Sequence, residues 1–146
     1  MNDSTFNIYI ASDHAGVDFK KGLQKHLPEM RWVDLGPSST SSVDYPDYAQ
    51  KLCHQLLEEP HSLGVLICGT GIGMSIAANR IKGIRAALVT GTTMATMAKA
   101  HNNANVLCLG ARIIGPDLAA ECVQAWLQTA FEGDRHQRRL DKIETL

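Results

Sequence analysis

The sequence predicts an α/β fold: a five-stranded parallel, Rossmann-like sheet in a three-layer α/β/α sandwich, followed by a C-terminal helical arm. Three observations point there. Short apolar runs recur at 8–11, 32–35, 65–67, 86–89 and 106–109, each closed by turn residues and followed by a helical pattern. The intervening segments have the length that a crossover between parallel strands needs. At 146 residues the chain suits one core, with no internal repeat, so residues 1–146 read as a single domain whose last part, 132–146, is the arm.

The elements follow in order. The run at 8–11 opens onto Ser12-Asp13-His14-Ala15-Gly16 and a helix near 17–27. The run at 32–35 meets a connector rich in Gly, Pro, Ser and Thr at 36–42, then a helix near 48–58. The third run extends from Leu63 as the continuous apolar stretch of a strand buried on both faces, and Gly69, Gly71 and Gly73 let the main chain turn tightly into a helix near 72–81. The run at 86–89 leads to a helix near 93–101, and that at 106–109 to Gly110-Ala111-Arg112 and a helix near 117–131. That last helix has Pro116 in front of it and carries Leu118, Cys122, Val123, Trp126 and Leu127 on one face, with Trp126 as plain core. Glu132-Gly133-Asp134 then separates it from the charged arm.

A net charge of −1 with mixed signs argues against a nucleic-acid or membrane surface. No run approaches the ~18 apolar residues of a membrane span, and the first residues lack a basic segment leading into a long apolar one. The 4 cysteines, Cys53, Cys68, Cys108 and Cys122, form no C-x-x-C pair of the zinc or redox kind. They read as reduced thiols in a cytoplasmic protein.

In open α/β sheets ligands bind beyond the carboxyl ends of the strands, so the motifs there carry the chemistry. The turn Gly69-Thr70-Gly71-Ile72-Gly73 is neither a dinucleotide fingerprint nor a P-loop: the third glycine of G-x-G-x-x-G would fall on Met74 or Ile76, and no lysine occurs between Lys51 and Lys82. It is a tight strand-to-helix turn or a cradle for an anionic oxygen. Cys68 is either a small buried hydrophobe or a thiol at a helix N-terminus, where the local potential favours thiolate. Asp13 caps the next helix or accepts hydrogen bonds from a ligand. His14 is a solvated loop residue or a cation beside it. His101 closes a helix, where the dipole alone would favour an imidazolium. Within Arg135-His136-Gln137-Arg138-Arg139, Arg135 and Arg139 share a helix face, giving a solvated basic helix or a fork for a phosphate dianion.

Taken in order, these blocks resemble the type B ribose-5-phosphate isomerase family, which includes allose-6-phosphate and galactose-6-phosphate isomerases. The resemblance spans nearly the whole chain. Its blocks are Ser12-Asp13-His14-Ala15-Gly16, Asp44-Tyr45-Pro46-Asp47-Tyr48-Ala49, the segment from Ile67-Cys68-Gly69 through Ala78-Asn79, His101-Asn102-Asn103-Ala104-Asn105-Val106, Gly110-Ala111-Arg112 and Gly133-Asp134-Arg135-His136-Gln137. It implies an aldose–ketose isomerase without metal or other cofactor, interconverting ribose 5-phosphate and ribulose 5-phosphate through a cis-enediolate. Cys68 is then the base that moves the proton between C2 and C1. The main-chain amides of Gly69, Thr70, Gly71, Ile72, Gly73, Met74 and Ser75 stabilise the enediolate oxygens.

The resemblance further implies that His101 opens the sugar ring, that Asp13 assists or binds hydroxyls, and that Tyr45 lines the sugar site. Thr70 steers the proton at the O1/O2 edge and Asn102 holds the substrate. His14, Arg112, Arg135 and Arg139 meet the phosphate, some of them from a second subunit, so a homodimer or dimer of dimers with shared active sites is expected. Relatives that use a glutamate base carry it a few residues beyond this turn. Here Met74 and Ser75 stand in that stretch, which places the chain with the cysteine group. A hexose 6-phosphate substrate, a non-catalytic sugar-phosphate sensor and a redox module built on Cys68 are the competing readings.

Overall fold

The structure, a computed structural model, describes residues 6–146; the first five residues of the expected domain lie outside the described residues. The elements run β1 (Ile8–Ser12), α1 (Val17–His26), β2 (Trp32–Asp34), α2 (Tyr45–Glu58), β3 (Leu63–Cys68), α3 (Ile72–Asn79), β4 (Ala86–Leu88), α4 (Thr92–Ala100), β5 (Val106–Gly110), α5 (Pro116–Gln128) and α6 (Arg135–Glu144). All strand pairs are parallel, in the order β2-β1-β3-β5-β4. The predicted α/β fold and helical arm are therefore present.

Period-two alternation sorts the core. Ile8 and Ile10, Val65 and Ile67, Leu107 and Leu109 pack with residues of α1, α4 and α5. Tyr9 and Ala11, Leu66 and Cys68, Val106 and Cys108 pack with residues of α2 and α3. Successive strand residues point to opposite faces, so each cluster covers one face of the sheet. Trp126 is fully buried as plain core, its indole Nε1 donating to the Ala104 carbonyl at 3.0 Å.

Several boundaries differ from the sequence reading. Helix α2 starts at Tyr45, three residues early, because Pro46 in its first turn suits a helix start. Helix α3 stops at Asn79 rather than near 81. There the Asn79 side chain bonds both the Ala86 amide (2.8 Å) and the Ala86 carbonyl (2.9 Å), tying the helix end to β4. Helix α5 ends at Gln128 rather than near 131, where Thr129 turns extended and its hydroxyl donates back to the Ala125 carbonyl at 2.6 Å.

One buried charge escaped the pattern. Lys20 on α1 is 1% exposed, and its ammonium donates to Asp34 Oδ1 and the Pro37 carbonyl, both at 2.8 Å. It anchors the connector after β2, which carries Val43 toward the end of β1.

Candidate active site

The first crossover switch lies between β1 and β3, and the carboxyl edge there gathers most of the predicted residues. Asp13 follows β1 directly; its carboxylate accepts from the Ala15 amide at 3.0 Å, so it does cap the short turn His14–Gly16. His14 Nδ1 accepts from the Val43 amide at 3.1 Å. A nitrogen that accepts carries no proton, so in this hydrogen bond Nε2 is the ring nitrogen left to donate at this edge.

Cys68 ends β3 and is 5% exposed, with its Sγ accepting from the Gly71 amide at 3.2 Å. Only glycine fits at 71: φ is +81°, and a Cβ would lie 2.6 Å from Leu88 Cδ1. Thr70 Oγ1 accepts from the Ile72 amide at 3.2 Å, and the Ser75 amide donates to the Gly71 carbonyl at 3.0 Å. The amides of Gly71, Ile72 and Ser75 are thus engaged. Those of Gly69, Thr70, Gly73 and Met74 have no acceptor among the described residues, although the Met74 side chain is fully buried core.

Two side chains close over this turn. A Cβ on Gly73 would stand 2.6 Å from the Tyr45 ring, so the phenol leans directly against the glycine. The Arg112 side chain lies 3.7 Å from the corresponding position at Gly69, while its amide donates to the Gly69 carbonyl at 3.0 Å. Asp13, His14, Tyr45, Cys68, the glycine turn and Arg112 therefore stand along one edge.

All four cysteines are free and buried. Burial pushes the Cys53 thiol up to about 12. It pushes Cys108 well above the ordinary range as well, with Cys53 and Cys68 adding to the effect. Of the three thiols in this layer, Cys68 alone ends a strand at the edge where the glycine turn opens.

The remaining predicted residues stand elsewhere. His101 and Asn102 follow α4, whose chain has returned to the amino edge before β5 begins. The Glu132 amide bonds the Ala100 carbonyl at 3.0 Å, and Arg85, at the start of β4, donates to the Asn102 carbonyl at 3.0 Å and pairs with Glu144 at 3.1 Å. Helix α6, with Arg135 and Arg139, thus runs along the amino edge. The length of β3, about 17 Å of strand rise, separates these four residues from Cys68. One chain does not bring the two groups together. A groove of about 880 Å³ does open at the amino edge, lined by Phe6, Leu56, Arg85 and Phe131 among others, but neither Cys68 nor the glycine turn reaches it.

The amino edge also holds two residues that the sequence reading did not assign. The His101 and His136 rings stack at 4.2 Å between centroids and 12° between planes. Glu132 faces both, 4.0 Å from His101 Nε2 and 3.3 Å from His136 Nε2. His136 is 5% exposed; burial, then Arg135, His101 and Arg139, lower its pKa, while Glu132 opposes them. The available signal was the apolar stripe of the arm, in which His136 and Leu140 occupy neighbouring i, i+4 positions and are both buried. The trio is the one three-ligand group among the described residues, but in-plane lone pairs of two nearly parallel rings do not converge on one ion.

Fold and site define an open parallel α/β enzyme whose thiol and unpaired amides meet at the carboxyl ends of the strands. Residues 8–143 match the family model described as Ribose/Galactose Isomerase, and the chain belongs to that family. It is a sugar-phosphate aldose–ketose isomerase. A probable ribose-5-phosphate isomerase B of Mycoplasma pneumoniae is 48% identical over 139 residues, covering 93% of this chain and 91% of that one. The crystal structure of a ribose 5-phosphate isomerase from Thermotoga maritima superimposes with a TM-score of 0.94 at 47% identity, covering 97% of this chain and 99% of that one. The structure of ribose-5-phosphate isomerase B from Mycoplasma genitalium with bound ribulose-5-phosphate does so at 0.91 and 44% identity, covering 97% and 96%. No described helix is long and apolar enough to cross a membrane.

Proposed function

We propose that this enzyme interconverts ribose 5-phosphate and ribulose 5-phosphate, with Cys68 as the proton-transfer base. The observation that carries the reading is the Cys68 thiol at the end of β3, beside amides of Gly69, Thr70, Gly73 and Met74 that have no acceptor among the described residues. Ring opening comes first: the C1–O4 bond breaks, O1 gives up its proton to form the aldehyde, and O4 takes one, with His101 as the acid/base group and Asp13 assisting. The Cys68 thiolate then removes the C2 proton. The enediolate charge that develops on the oxygens meets the open amides, which are preorganised and need no reorientation. Thr70 guides the hydroxyl proton between O2 and O1, and Cys68 returns its proton to C1. Tyr45 walls the sugar and Asn102 holds it, while His14, Arg112, Arg135 and Arg139 clamp the phosphate.

Because His101, Asn102, Arg135 and Arg139 lie at the far edge of their own sheet, they serve the thiol of a second copy. A two-fold axis perpendicular to the strands sets two sheets antiparallel, which lays the amino edge of one beside the carboxyl edge of the other and completes two equivalent sites. An exposed apolar surface suits that contact: Ile72 and Ile76 on α3, Met94 and Met97 on α4, flanking the edge strand β4. The functional unit is thus a homodimer or a pair of dimers. Four free thiols fit a reducing cytoplasm.

Turnover of ribose 5-phosphate and allose 6-phosphate, followed side by side in heavy water, tests this reading. Deuterium should enter C1 or C2 of the pentose phosphate at a rate matching its conversion. Faster conversion of allose 6-phosphate would reassign the substrate, and conversion of neither would overturn the function.

A further inference from the structure

We propose that His136 is a positioning residue for His101, its ring serving as the plane against which the ring-opening imidazole is held. The inference rests on the ring-opening role given to His101 above. No hydrogen bond holds the His101 ring among the described residues, and its side chain is 38% exposed at a helix end, where an unsupported ring would sample several rotamers. Its fixed neighbour is the His136 face at 4.2 Å, with Glu132 at 4.0 Å from Nε2. His136, by contrast, is embedded: 5% exposed, on the same buried stripe as Leu140, with no aligned hydrogen bond to its Nε2 among the described residues and Glu132 3.3 Å away.

A buried ring nitrogen with no aligned hydrogen bond, its nearest carboxylate oxygen on Glu132 at 3.3 Å, costs stability that an apolar side chain would not, so its presence asks for a gain elsewhere. Stacking supplies one. When His101 takes the O1 proton during ring opening, its imidazolium lies over a neutral aromatic face, an attractive arrangement, whereas two stacked cations would repel. Burial, with the charges of Arg135, His101 and Arg139, lowers the pKa of His136 and so favours that neutral form, and the Glu132 carboxylate, 4.0 Å from His101 Nε2, balances the new charge.

The test separates ring opening from proton transfer. Ribose 5-phosphate is mostly a closed furanose, whereas ribulose 5-phosphate, with O5 esterified, cannot close onto C2 and is open from the start. In His136→Asn, conversion of ribose 5-phosphate should fall about tenfold or more. Solvent deuterium exchange into C1 of ribulose 5-phosphate, which needs Cys68 but no ring opening, should stay within about threefold. His136→Phe keeps the aromatic plane and should restore conversion to within about threefold of the unsubstituted enzyme. Parallel loss of conversion and exchange in both variants, or unchanged conversion in His136→Asn, overturns the assignment while leaving the isomerase reading intact. Absence of both activities in the unsubstituted protein overturns the isomerase reading and this assignment with it.

Discussion

The Val43 amide donates to His14 Nδ1 at 3.1 Å, and this bond couples the segment after β2 to the carboxyl edge of the sheet. The connector is itself pinned through the Lys20 ammonium and the Pro37 carbonyl. Nitrogen-15 NMR near neutral pH is expected to find His14 protonated at Nε2 and bare at Nδ1. Val43→Pro removes the donor and should raise KM for the sugar phosphate about fivefold, the equivalent of one hydrogen bond worth ~1 kcal/mol. An Nδ1–H tautomer would break the link.

Cys68→Ser should lower conversion and solvent exchange together by roughly 10²- to 10⁴-fold, the usual contribution of a positioned base. Calorimetry with ribitol 5-phosphate, which has no carbonyl to enolise, should show unchanged affinity. A loss of affinity with turnover preserved would make the thiol a binding group instead.

Gly71→Ala forces a Cβ onto a residue with φ +81°, 2.6 Å from Leu88 Cδ1 and 3.0 Å from the Leu109 carbonyl carbon. We expect a loss of about 1–3 kcal/mol in urea unfolding from the strained backbone. Activity should fall further than stability predicts, because the same turn carries the open amides.

Asp34 gives a pH signature. Burial pushes its carboxyl up, but hydrogen bonds from Lys20, the Gly36 amide and Gln24, with the Lys20 charge, together hold it below its ordinary value of 3.8. A depressed carboxyl stabilises the fold fully above its unfolded pKa of about 4, and that contribution is lost as pH falls toward the lower folded value. Lys20→Met should cost about 1–3 kcal/mol near neutrality, since it strands the Pro37 carbonyl, and should flatten the decline below pH 4 in denaturant titrations. An unaltered acid limb would assign that decline to other carboxylates.

Mixing two inactive variants tests the shared site. Cys68→Ala and His101→Gln should each disable both sites of the proposed homodimer, whereas a mixed dimer should keep one intact pair of edges. After subunit exchange, activity should recover to about a quarter of the unsubstituted level if assortment is random. No recovery, with mixed dimers demonstrated by mass spectrometry, would place His101 and Cys68 in one chain's site.

Much of this molecule was legible in its residues. The continuous apolar run ending in Cys68, and the alternating glycines after it, specify a buried strand and a tight turn through local sterics alone, so that part of the candidate site was legible as structure. The edge assignment of His101 was also implicit, because a residue at the end of a helix that precedes a parallel strand has travelled back to the amino edge. What stayed hidden was His136, which in sequence is one of several basic residues in a charged arm. Lys20 was hidden for the same reason: its charge argues for solvent until Asp34 and Pro37 are known to meet it.

By itself, then, the sequence determined the alternation of strands and helices, the two-sided burial of the central strands, and a thiol held at the end of one of them. These follow from backbone sterics and from side-chain periods of 2 and 3.6 residues, which act over neighbouring positions. Only the tertiary structure decided the strand order, the stack of His101 on His136, the bond from the Val43 amide to His14 Nδ1 and the separation of the candidate site residues onto two edges of one sheet. Those depend on which distant segments pack together and which polar groups water can no longer reach, and no local pattern carries that information.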